Sequence, residues 1–510
     1  MATPNVSRRE FLLGASASVL GLGRGGNLAA APAPAGSDAS LLELSAVDAV
    51  RAMRTGALAA ERYAAALLQR CLQLQALNAF ITLEPDRVLE QARSADLERA
   101  GGASLGALHG LPIPVKDSVN TAQYATTGGT PALKDFRPPA DAPLVAALRA
   151  AGAIVLGKTN MHELSYGWTS NNLAFGAVHN PYDPTRIPGG SSGGTAAAIA
   201  AHMAPLGIAE DTEGSIRVPA ALCGVTGFRP TTRRYSTAGV IPASSLLDQT
   251  GPHARSMADI ALFDRVATGD SRELRPLTLR GVRLAVSRGY WFEGLDSEVE
   301  RIANEALSKL RAAGAVIVEA EVPGVRELME RTADAVVDHD VRLELTRYLA
   351  ANGARAGFDE VIARASPDIR AIFEHEVLPG SPAFVSEAAY QTVVKQYLPK
   401  LHRTFRDYFA GTGAAALLFP TTMVTAPRIG EESELTVRGR KLSFDVAIGR
   451  NIAPGSRAGL PGLVIPAGLA ADGLPVALEF DGPAGTDRAL LALGVAIEPV
   501  LGHVPPPLSE

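Results

Sequence analysis

Apolar residues recur every three or four positions in the segment that follows residue 40. Leu44, Val47 and Val50 show this spacing near the start of the segment. Because an α-helix completes a turn every 3.6 residues, the spacing predicts helices from residue 40 to about residue 97. The prolines and glycines around residue 112 then predict a change to short strands and turns.

Two later segments place an apolar helical pattern directly before a strand pattern. In residues 144–156 a glycine separates the helical pattern from an Ile-Val-Leu run, and residues 299–318 repeat this arrangement. A helix closed by glycine and followed directly by a β-branched strand is a unit of α/β proteins. Residues 463–497 have the pattern of strand, turn, strand and helix. The sequence therefore predicts an α/β fold.

Domain organisation follows from the lack of a low-complexity linker after the first thirty-five residues. The chain has 510 residues, and length alone would suggest about three domains. Since no segment separates them, we predict one large domain over residues 36–510. Residues 325–410 are mainly helical in pattern and more polar than their surroundings, which predicts a cap-like region.

The first thirty-five residues have the pattern of a cleavable export signal. Arg8 and Arg9 precede Phe11 and an apolar stretch diluted by Ala, Gly and Ser, and Ala35 ends a small-residue cleavage site. Paired arginines in this setting resemble the twin-arginine signal. The apolar stretch is too short to span a bilayer. We therefore expect residues 1–35 to be removed, the mature protein to be periplasmic or secreted, and no insertion into the membrane.

Composition narrows the classes of function. Lys and Arg total 48 against 53 Asp and Glu, a net charge of −5, and aromatic residues make up 5%. Nucleic-acid binders need a basic surface and often stack bases on aromatic rings, so we expect no nucleic-acid partner. The two cysteines, Cys71 and Cys223, are too few for a disulfide scaffold or a cysteine-rich zinc site.

Three short motifs match known patterns but lack the required setting. Residues 152–159 fit the phosphate-loop pattern, yet their four middle residues are the predicted strand itself. Residues 190–194 fit the G-x-S-x-G nucleophile elbow, but no buried strand leads into them. His162 and Glu163 begin a zinc-protease pattern, but Tyr166 stands where the second histidine belongs. We therefore expect neither a metal nor a cofactor.

Residues from three segments can form a hydrolytic site without histidine. Lys116 lies in an apolar, proline-bounded segment, and Ser191 and Ser215 each lie in a glycine-flanked run. A desolvated lysine can be neutral at working pH and accept a proton. A bridging serine can pass that proton from a nucleophile to the lysine, and consecutive backbone amides can bind an oxyanion.

In combination and in this order, these segments resemble the amidase signature family. The resemblance extends over nearly all of the chain after residue 35 and includes residues 157–161, 224–230 and 459–462. It implies the fold of that family, an α/β domain whose central mixed β-sheet is covered by helices on both faces.

The resemblance also implies a Ser-Ser-Lys triad. In this triad Ser215 is the nucleophile, Ser191 is the bridging serine after a cis Gly190–Ser191 peptide, and Lys116 is the base. Ser192 either supports the triad loop through hydrogen bonds or only shapes its turn.

Backbone amides are implied as the oxyanion hole, at Thr212, Glu213, Gly214 and Ser215. Glu213 departs from the family pattern, which usually has glycine there. A carboxylate directed at the oxyanion would oppose the charge that develops. We therefore expect an allowed backbone conformation at Glu213 and a carboxylate that turns away, towards Arg217 or solvent.

The predicted function is hydrolysis of the C–N bond of carboxamides to carboxylate and ammonia, through an acyl-enzyme on Ser215. Residues 451–462 and 481–488 resemble the mandelamide and indoleacetamide hydrolase branch, which implies small arylacetamide-type primary amides as substrates. One alternative is an amidotransferase-type subunit of the same fold, against which the export signal argues. Another is a catalytically weak binding protein on an amidase scaffold, supported only by Glu213. The expected partner is a small-molecule amide, and a homodimer is left open.

Overall fold

One mixed β-sheet of eleven strands lies at the centre of the computed structural model, which describes residues 38–333 and 335–507. The strands of these ranges are β1 Phe80–Leu83, β2 Pro112–Lys116, β3 Ile154–Thr159, β4 Asn171–Asn172, β5 Gly176–Ala177, β6 Leu206–Asp211, β7 Thr226–Arg229, β8 Gln249–Ala254, β9 Arg283–Val286, β10 Val316–Glu319, β11 Ala416–Pro420, β12 Glu434–Val437, β13 Arg440–Ser443, β14 Gly462–Leu469 and β15 Pro475–Asp481. The order across the large sheet is β1-β3-β2-β6-β8-β7-β14-β15-β11-β9-β10, while β4 pairs with β5 and β12 with β13.

Helices connect these strands and pack against the sheet. They are α1 Asp38–Leu42, α2 Ala46–Thr55, α3 Ala60–Gln73, α4 Pro85–Ala100, α5 Pro143–Ala150, α6 Gly193–Ala200, α7 Arg217–Leu222, α8 Met257–Thr268, α9 Arg288–Trp291, α10 Ser297–Ala312, α11 Val325–Thr332, α12 Ala335–Ala351, α13 Phe358–Arg364, α14 Pro367–Ile372, α15 Glu387–Thr392, α16 Leu398–Thr412, α17 Phe444–Gly449, α18 Ala453–Arg457 and α19 Asp487–Leu501. None of the helices in the described ranges has both the length and the apolar run needed to cross a bilayer.

The two predicted helix-then-strand units are present as α5 with β3 and α10 with β10. Pro143 occupies the first turn of α5, where its missing N–H breaks no helical hydrogen bond. Asp296 caps α10 by accepting a hydrogen bond from the amide of Glu298 at 2.9 Å. Gly314, which follows that helix, has a φ of 96° that favours glycine. The predicted α/β fold is confirmed.

Strand β1 lies inside a stretch for which the sequence predicted only helices. It pairs antiparallel with β3 and forms one edge of the sheet. Its four residues, Phe-Ile-Thr-Leu, are too few to show the alternation of apolar and polar side chains that marks a strand, and helical patterns surround them. The prediction of uninterrupted helix was therefore wrong at this point.

The candidate site lies at the carboxyl ends of two neighbouring parallel strands, β2 and β6. Every residue of both strands is buried, and β2 ends at Lys116. Because parallel strands direct their carboxyl ends to the same edge of a sheet, the residues that follow β6 lie near Lys116. Helices α6 and α7 begin directly after the loops that carry Ser191 and Ser215.

Helices also occupy most of residues 325–412, and those of residues 341–377 share an apolar cluster. The cluster contains Leu345, Phe358 and Phe373 together with Leu133 and Leu164 from other parts of the chain. The predicted signal peptide, residues 1–35, lies outside the described residues.

Both cysteines are buried and neither is part of a disulfide. Cys71 lies on α3, and burial raises the pKa of its thiol to about 12. Burial also raises the pKa of Cys223, whose thiol donates to the carbonyl of Pro188 at 3.3 Å. Both side chains behave as small packed groups.

Candidate active site

Lys116 is the last residue of β2, and its side chain is fully buried. Its Nζ lies 2.6 Å from Ser191 Oγ and 2.7 Å from Oε2 of Glu210. A longer contact of 3.4 Å joins Nζ to the backbone carbonyl of Glu210. The structure thus brings together the lysine and one of the two serines that the sequence selected.

Ser191 lies in a tightly packed loop before α6. The Gly190–Ser191 peptide is cis, as the resemblance implied. A Cβ at Gly190 would lie 2.8 Å from the amide nitrogen of Thr169, so a larger residue would force the neighbouring backbone to move. The Ser191 carbonyl accepts from the amide of His162 at 3.1 Å and from the hydroxyl of Ser170 at 3.3 Å. These contacts hold the Ser191 hydroxyl next to Lys116.

Ser192 ties this loop to β6. Its hydroxyl donates to the carbonyl of Glu210 at 3.0 Å and accepts from the amide of the same residue at 3.3 Å. The backbone amide of Ser192 donates to the carbonyl of Ser215 at 3.3 Å. Of the two predicted roles, the hydrogen-bonding one is therefore present.

Ser215 lies in the loop between β6 and α7 and is 3% exposed. Within the described ranges, no hydrogen bond joins its hydroxyl to that of Ser191, and the two loops are connected through the backbone of Ser192 instead. The structure places both serines in adjacent loops at the same edge of the sheet.

The loop that carries Ser215 is organised by the carboxylate of Asp211. This carboxylate accepts from the amides of Gly214 at 2.6 Å and Ile216 at 3.0 Å. It also forms ion pairs with Arg217 at 3.0 Å and Arg229 at 3.2 Å. Burial opposes ionisation of Asp211, but the two arginines outweigh burial and hold its pKa below the usual range. Asp211 is therefore a charged structural centre of the loop.

The bond to Asp211 changes the predicted set of oxyanion amides. The N–H of Gly214 already donates to that carboxylate, so Gly214 is not an available donor. The amides of Thr212, Glu213 and Ser215 have no acceptor within the described ranges. The expectation of four available amides is corrected to three.

Glu213 is paired with Arg457 rather than with Arg217. Arg457 donates to the two carboxylate oxygens of Glu213 from Nε at 2.6 Å and from Nη2 at 2.9 Å. Both residues are buried, at 8% and 6% exposed. The backbone of Glu213 has no positive φ, whereas Gly214 has a φ of 124°. The expected allowed backbone is confirmed, and the expected partner was wrong because Arg217 is held by other carboxylates.

Glu210 is a site residue that the sequence analysis missed. Its buried carboxylate forms an ion pair with Lys116 and accepts from the hydroxyls of Ser165 at 3.2 Å and Thr212 at 3.1 Å. A signal existed, because Glu210 directly precedes Asp211 at the end of a buried strand. An acidic residue inside such a strand needs a partner.

A scan against family models matches residues 62–491 to the family described as Amidase. Among curated relatives, an indoleacetamide hydrolase of Agrobacterium vitis is 38% identical over 433 residues, which covers 85% of this chain and 91% of the relative. A mandelamide hydrolase of Pseudomonas putida is 37% identical over 480 residues, covering 92% and 93% respectively.

Solved structures give the same result. The native peptide amidase of Stenotrophomonas maltophilia matches with a TM-score of 0.76 and 30% sequence identity. The match covers 91% of this chain and 98% of that structure. The family match spans every strand of the large sheet and both loops of the candidate site, and the structural match covers 91% of this chain.

Proposed function

This chain belongs to the amidase family and is an amidohydrolase, and we propose that it hydrolyses small arylacetamide-type primary amides through an acyl-enzyme on Ser215. The observation that carries the proposal is the 2.6 Å contact between Lys116 Nζ and Ser191 Oγ, two fully buried groups beside the loop of Ser215. A buried lysine bonded to a serine hydroxyl is suited to proton transfer at a nucleophile.

In the proposed reaction, the Ser215 hydroxyl attacks the carbonyl carbon of the amide. Its proton passes to Ser191 Oγ, while the proton of Ser191 passes to Lys116 Nζ. The tetrahedral intermediate then collapses with cleavage of the C–N bond, and the same groups return the proton to the departing nitrogen, so that ammonia leaves. Water attacks the resulting ester by the same route, which releases the carboxylate and restores Ser215.

The oxyanion of the tetrahedral intermediate is assigned to the amides of Thr212, Glu213 and Ser215. Backbone donors fixed before the reaction stabilise developing charge without reorganisation. The ion pair with Arg457 supports this role of Glu213, because it directs the carboxylate to a partner and neutralises its charge.

One finding supports an aromatic acyl group, namely that both relatives described above are named for amides with an aromatic part. The amidotransferase alternative has less support, since both relatives are named as hydrolases.

Release of ammonia from a panel of arylacetamides, aliphatic primary amides and peptide amides tests this function. We expect the arylacetamides to have the highest kcat/KM, and the Ser215→Ala variant to release no ammonia above background. A preference for peptide amides would contradict the proposed substrate class, and no hydrolysis of any amide would contradict the acyl-enzyme.

For location, we propose export by the twin-arginine route. The support is the sequence alone, in which Arg8 and Arg9 precede an apolar stretch and a small-residue cleavage site.

A further inference from the structure

Two buried carboxylates share one hydroxyl beside Lys116. Thr212 Oγ1 lies 3.1 Å from Glu210 Oε1 and 2.8 Å from Asp248 Oδ1. Glu210 and Asp248 are 1% and 3% exposed, so water does not screen one charge from the other. Two carboxylates this close inside a protein do not both remain ionised unless each has a cation of its own.

The number of protons shows which carboxylate is neutral. A threonine hydroxyl has one proton and can donate to one carboxylate only, so the second contact requires a proton on the other carboxylate. Glu210 has the cation Lys116 at 2.7 Å, whereas the partners of the Asp248 carboxyl in the described ranges are the Thr212 hydroxyl and two backbone amides. Burial and the negative charge of Glu210 both raise the pKa of Asp248 above its ordinary value. Asp248 therefore holds the proton, and Thr212 donates to Glu210.

Lys116 is fully bonded as an ammonium in this arrangement. Its three N–H donors have three acceptors, namely Ser191 Oγ, Glu210 Oε2 and the carbonyl oxygen of Glu210. In this state Ser191 accepts from Nζ, which is the reverse of the direction that proton relay requires. Lys116 has to lose one proton to water before Ser191 can donate to it.

We propose that Glu210 is a positioning residue that acts through Lys116, and that its carboxylate sets the pH at which Lys116 becomes the base for amide hydrolysis. This inference rests on the proposed role of Lys116. A carboxylate in contact with an ammonium favours the charged form, so Glu210 moves the loss of the proton to higher pH. Asp248 makes no hydrogen bond or ion pair with Nζ in the described ranges, and while it is protonated it contributes no charge.

The other titratable groups near Lys116 are unchanged in a Glu210 variant and do not explain a shift of its pH profile. Burial lowers the pKa of two facing histidines to about 4, so both are neutral where a lysine titrates. Asp211 is held ionised by two arginines, and Asp117, next to Lys116 in the chain, lies 3.4 Å from the buried Lys158. The groups in question are His162, His253, Asp211, Asp117 and Lys158.

The test compares the pH dependence of kcat/KM of the full chain with that of two isosteric variants. In Glu210→Gln the amide keeps an acceptor for Nζ but removes the charge. We expect the acidic limb of the profile to move to lower pH by at least about 1 unit. In Asp248→Asn the ion pair between Lys116 and Glu210 is kept, and we expect the limb to move by less than about half a unit.

Each outcome decides the question. If Glu210 had only a structural role, Glu210→Gln would lower kcat but leave the acidic limb of the pH profile in place. An acidic limb that moves to lower pH by less than about half a unit, or that moves to higher pH, therefore overturns the inference. An equal shift in Asp248→Asn overturns it as well, because Asp248 would then carry the charge. If circular dichroism shows that Glu210→Gln does not fold, Glu210→Asp replaces it. The shorter side chain places the carboxylate farther from Nζ, so the acidic limb of the pH profile must still move to lower pH.

Failure of the proposed function is detected separately. Lys116→Ala with near-native turnover would reject Lys116 as the base and with it the proposed function. An inactive Lys116→Ala beside an unshifted Glu210→Gln profile would reject only the role of Glu210.

Discussion

Glu213 and Arg457 form a bidentate ion pair between residues that are 244 positions apart in the chain. The pair joins the proposed oxyanion loop to α18, and Arg457 continues the connection by donating to the carbonyl of Met329 on α11 at 3.3 Å. The side chain that departs from the family pattern is therefore part of the support of the loop and does not face the oxyanion as a bare charge.

Replacing Glu213 by glycine should affect stability more than chemistry. The variant removes the carboxylate of Glu213 from its buried ion pair with Arg457, and breaking a buried pair costs about 3–5 kcal/mol of the free energy of unfolding. Turnover of the folded fraction should change by less than about tenfold, since the backbone amide remains. Urea denaturation and kcat measure the two effects. The double variant with Arg457→Met should recover part of the stability. A hundredfold gain in kcat would instead support the weak-scaffold alternative.

Removing any member of the proposed triad should stop catalysis. Ser215→Ala and Lys116→Ala are expected to abolish ammonia release, and Ser191→Ala to leave a trace, because the proton has no other route to Nζ. The exposed Lys395 provides a matched control, and Lys395→Ala should keep native activity. Near-native turnover in Lys116→Ala would contradict the triad.

The activity of the native chain should rise from acidic to mildly alkaline pH. Lys116 acts as a base only without its extra proton, and the contact with Glu210 favours the protonated form. Initial rates with one arylacetamide across this range measure the effect. A maximum near pH 5 would indicate carboxylate chemistry instead.

The contribution of two buried histidines to stability should fall when the pH is lowered from about 6.5 to about 4, whereas the buried carboxyl of Asp248, whose pKa is raised, changes stability in the opposite sense. Burial lowers the pKa of His162 and His253 from 6.5 to about 4, so in this window the unfolded chain binds protons that the folded chain does not. Each histidine then contributes about 1.4 kcal/mol per pH unit to the loss, and its contribution is fully present above pH 6.5. Urea denaturation at several pH values gives the slope. His253→Gln, which keeps a donor for the carbonyl of Ile216, should lose about 1.4 kcal/mol per pH unit less than the native protein, and a slope equal to the native one would contradict the assignment.

Export should depend on the paired arginines. With Arg8→Lys and Arg9→Lys together, the protein is expected to accumulate in the cytoplasm, because the twin-arginine signal requires both residues. Cell fractionation followed by immunoblotting measures the distribution. Unchanged delivery would show that the pair has no role in targeting.

The fold was predictable where local signals agreed with each other. The units α5 with β3 and α10 with β10 have a helical pattern, a glycine and a β-branched strand within twenty-five residues, so every part of the signal lies within one segment. Strand β1 was not predictable in this way, because its edge position depends on pairing with β3, more than seventy residues away in the chain.

The same distinction applies to the site. Lys116, Ser191 and Ser215 were selected because each stands in a conspicuous glycine- or proline-rich run. The partners of the acidic residues were not evident, because Lys116 and Glu210 are 94 positions apart and meet only after β2 and β6 align in parallel. Glu213 was expected to turn towards Arg217, the nearest arginine in sequence, or towards solvent, whereas Asp211 and Glu479 already hold that arginine.

The buried, separate thiols of Cys71 and Cys223 bear on how the enzyme can be handled. Oxidants and alkylating reagents attack the thiolate, and both side chains are shielded from solvent with their pKa values raised by burial. The folded enzyme should therefore keep its activity in air without a reducing agent and resist iodoacetamide. In an oxidising compartment it would have no disulfide to form, so its folding would need no thiol oxidase or isomerase.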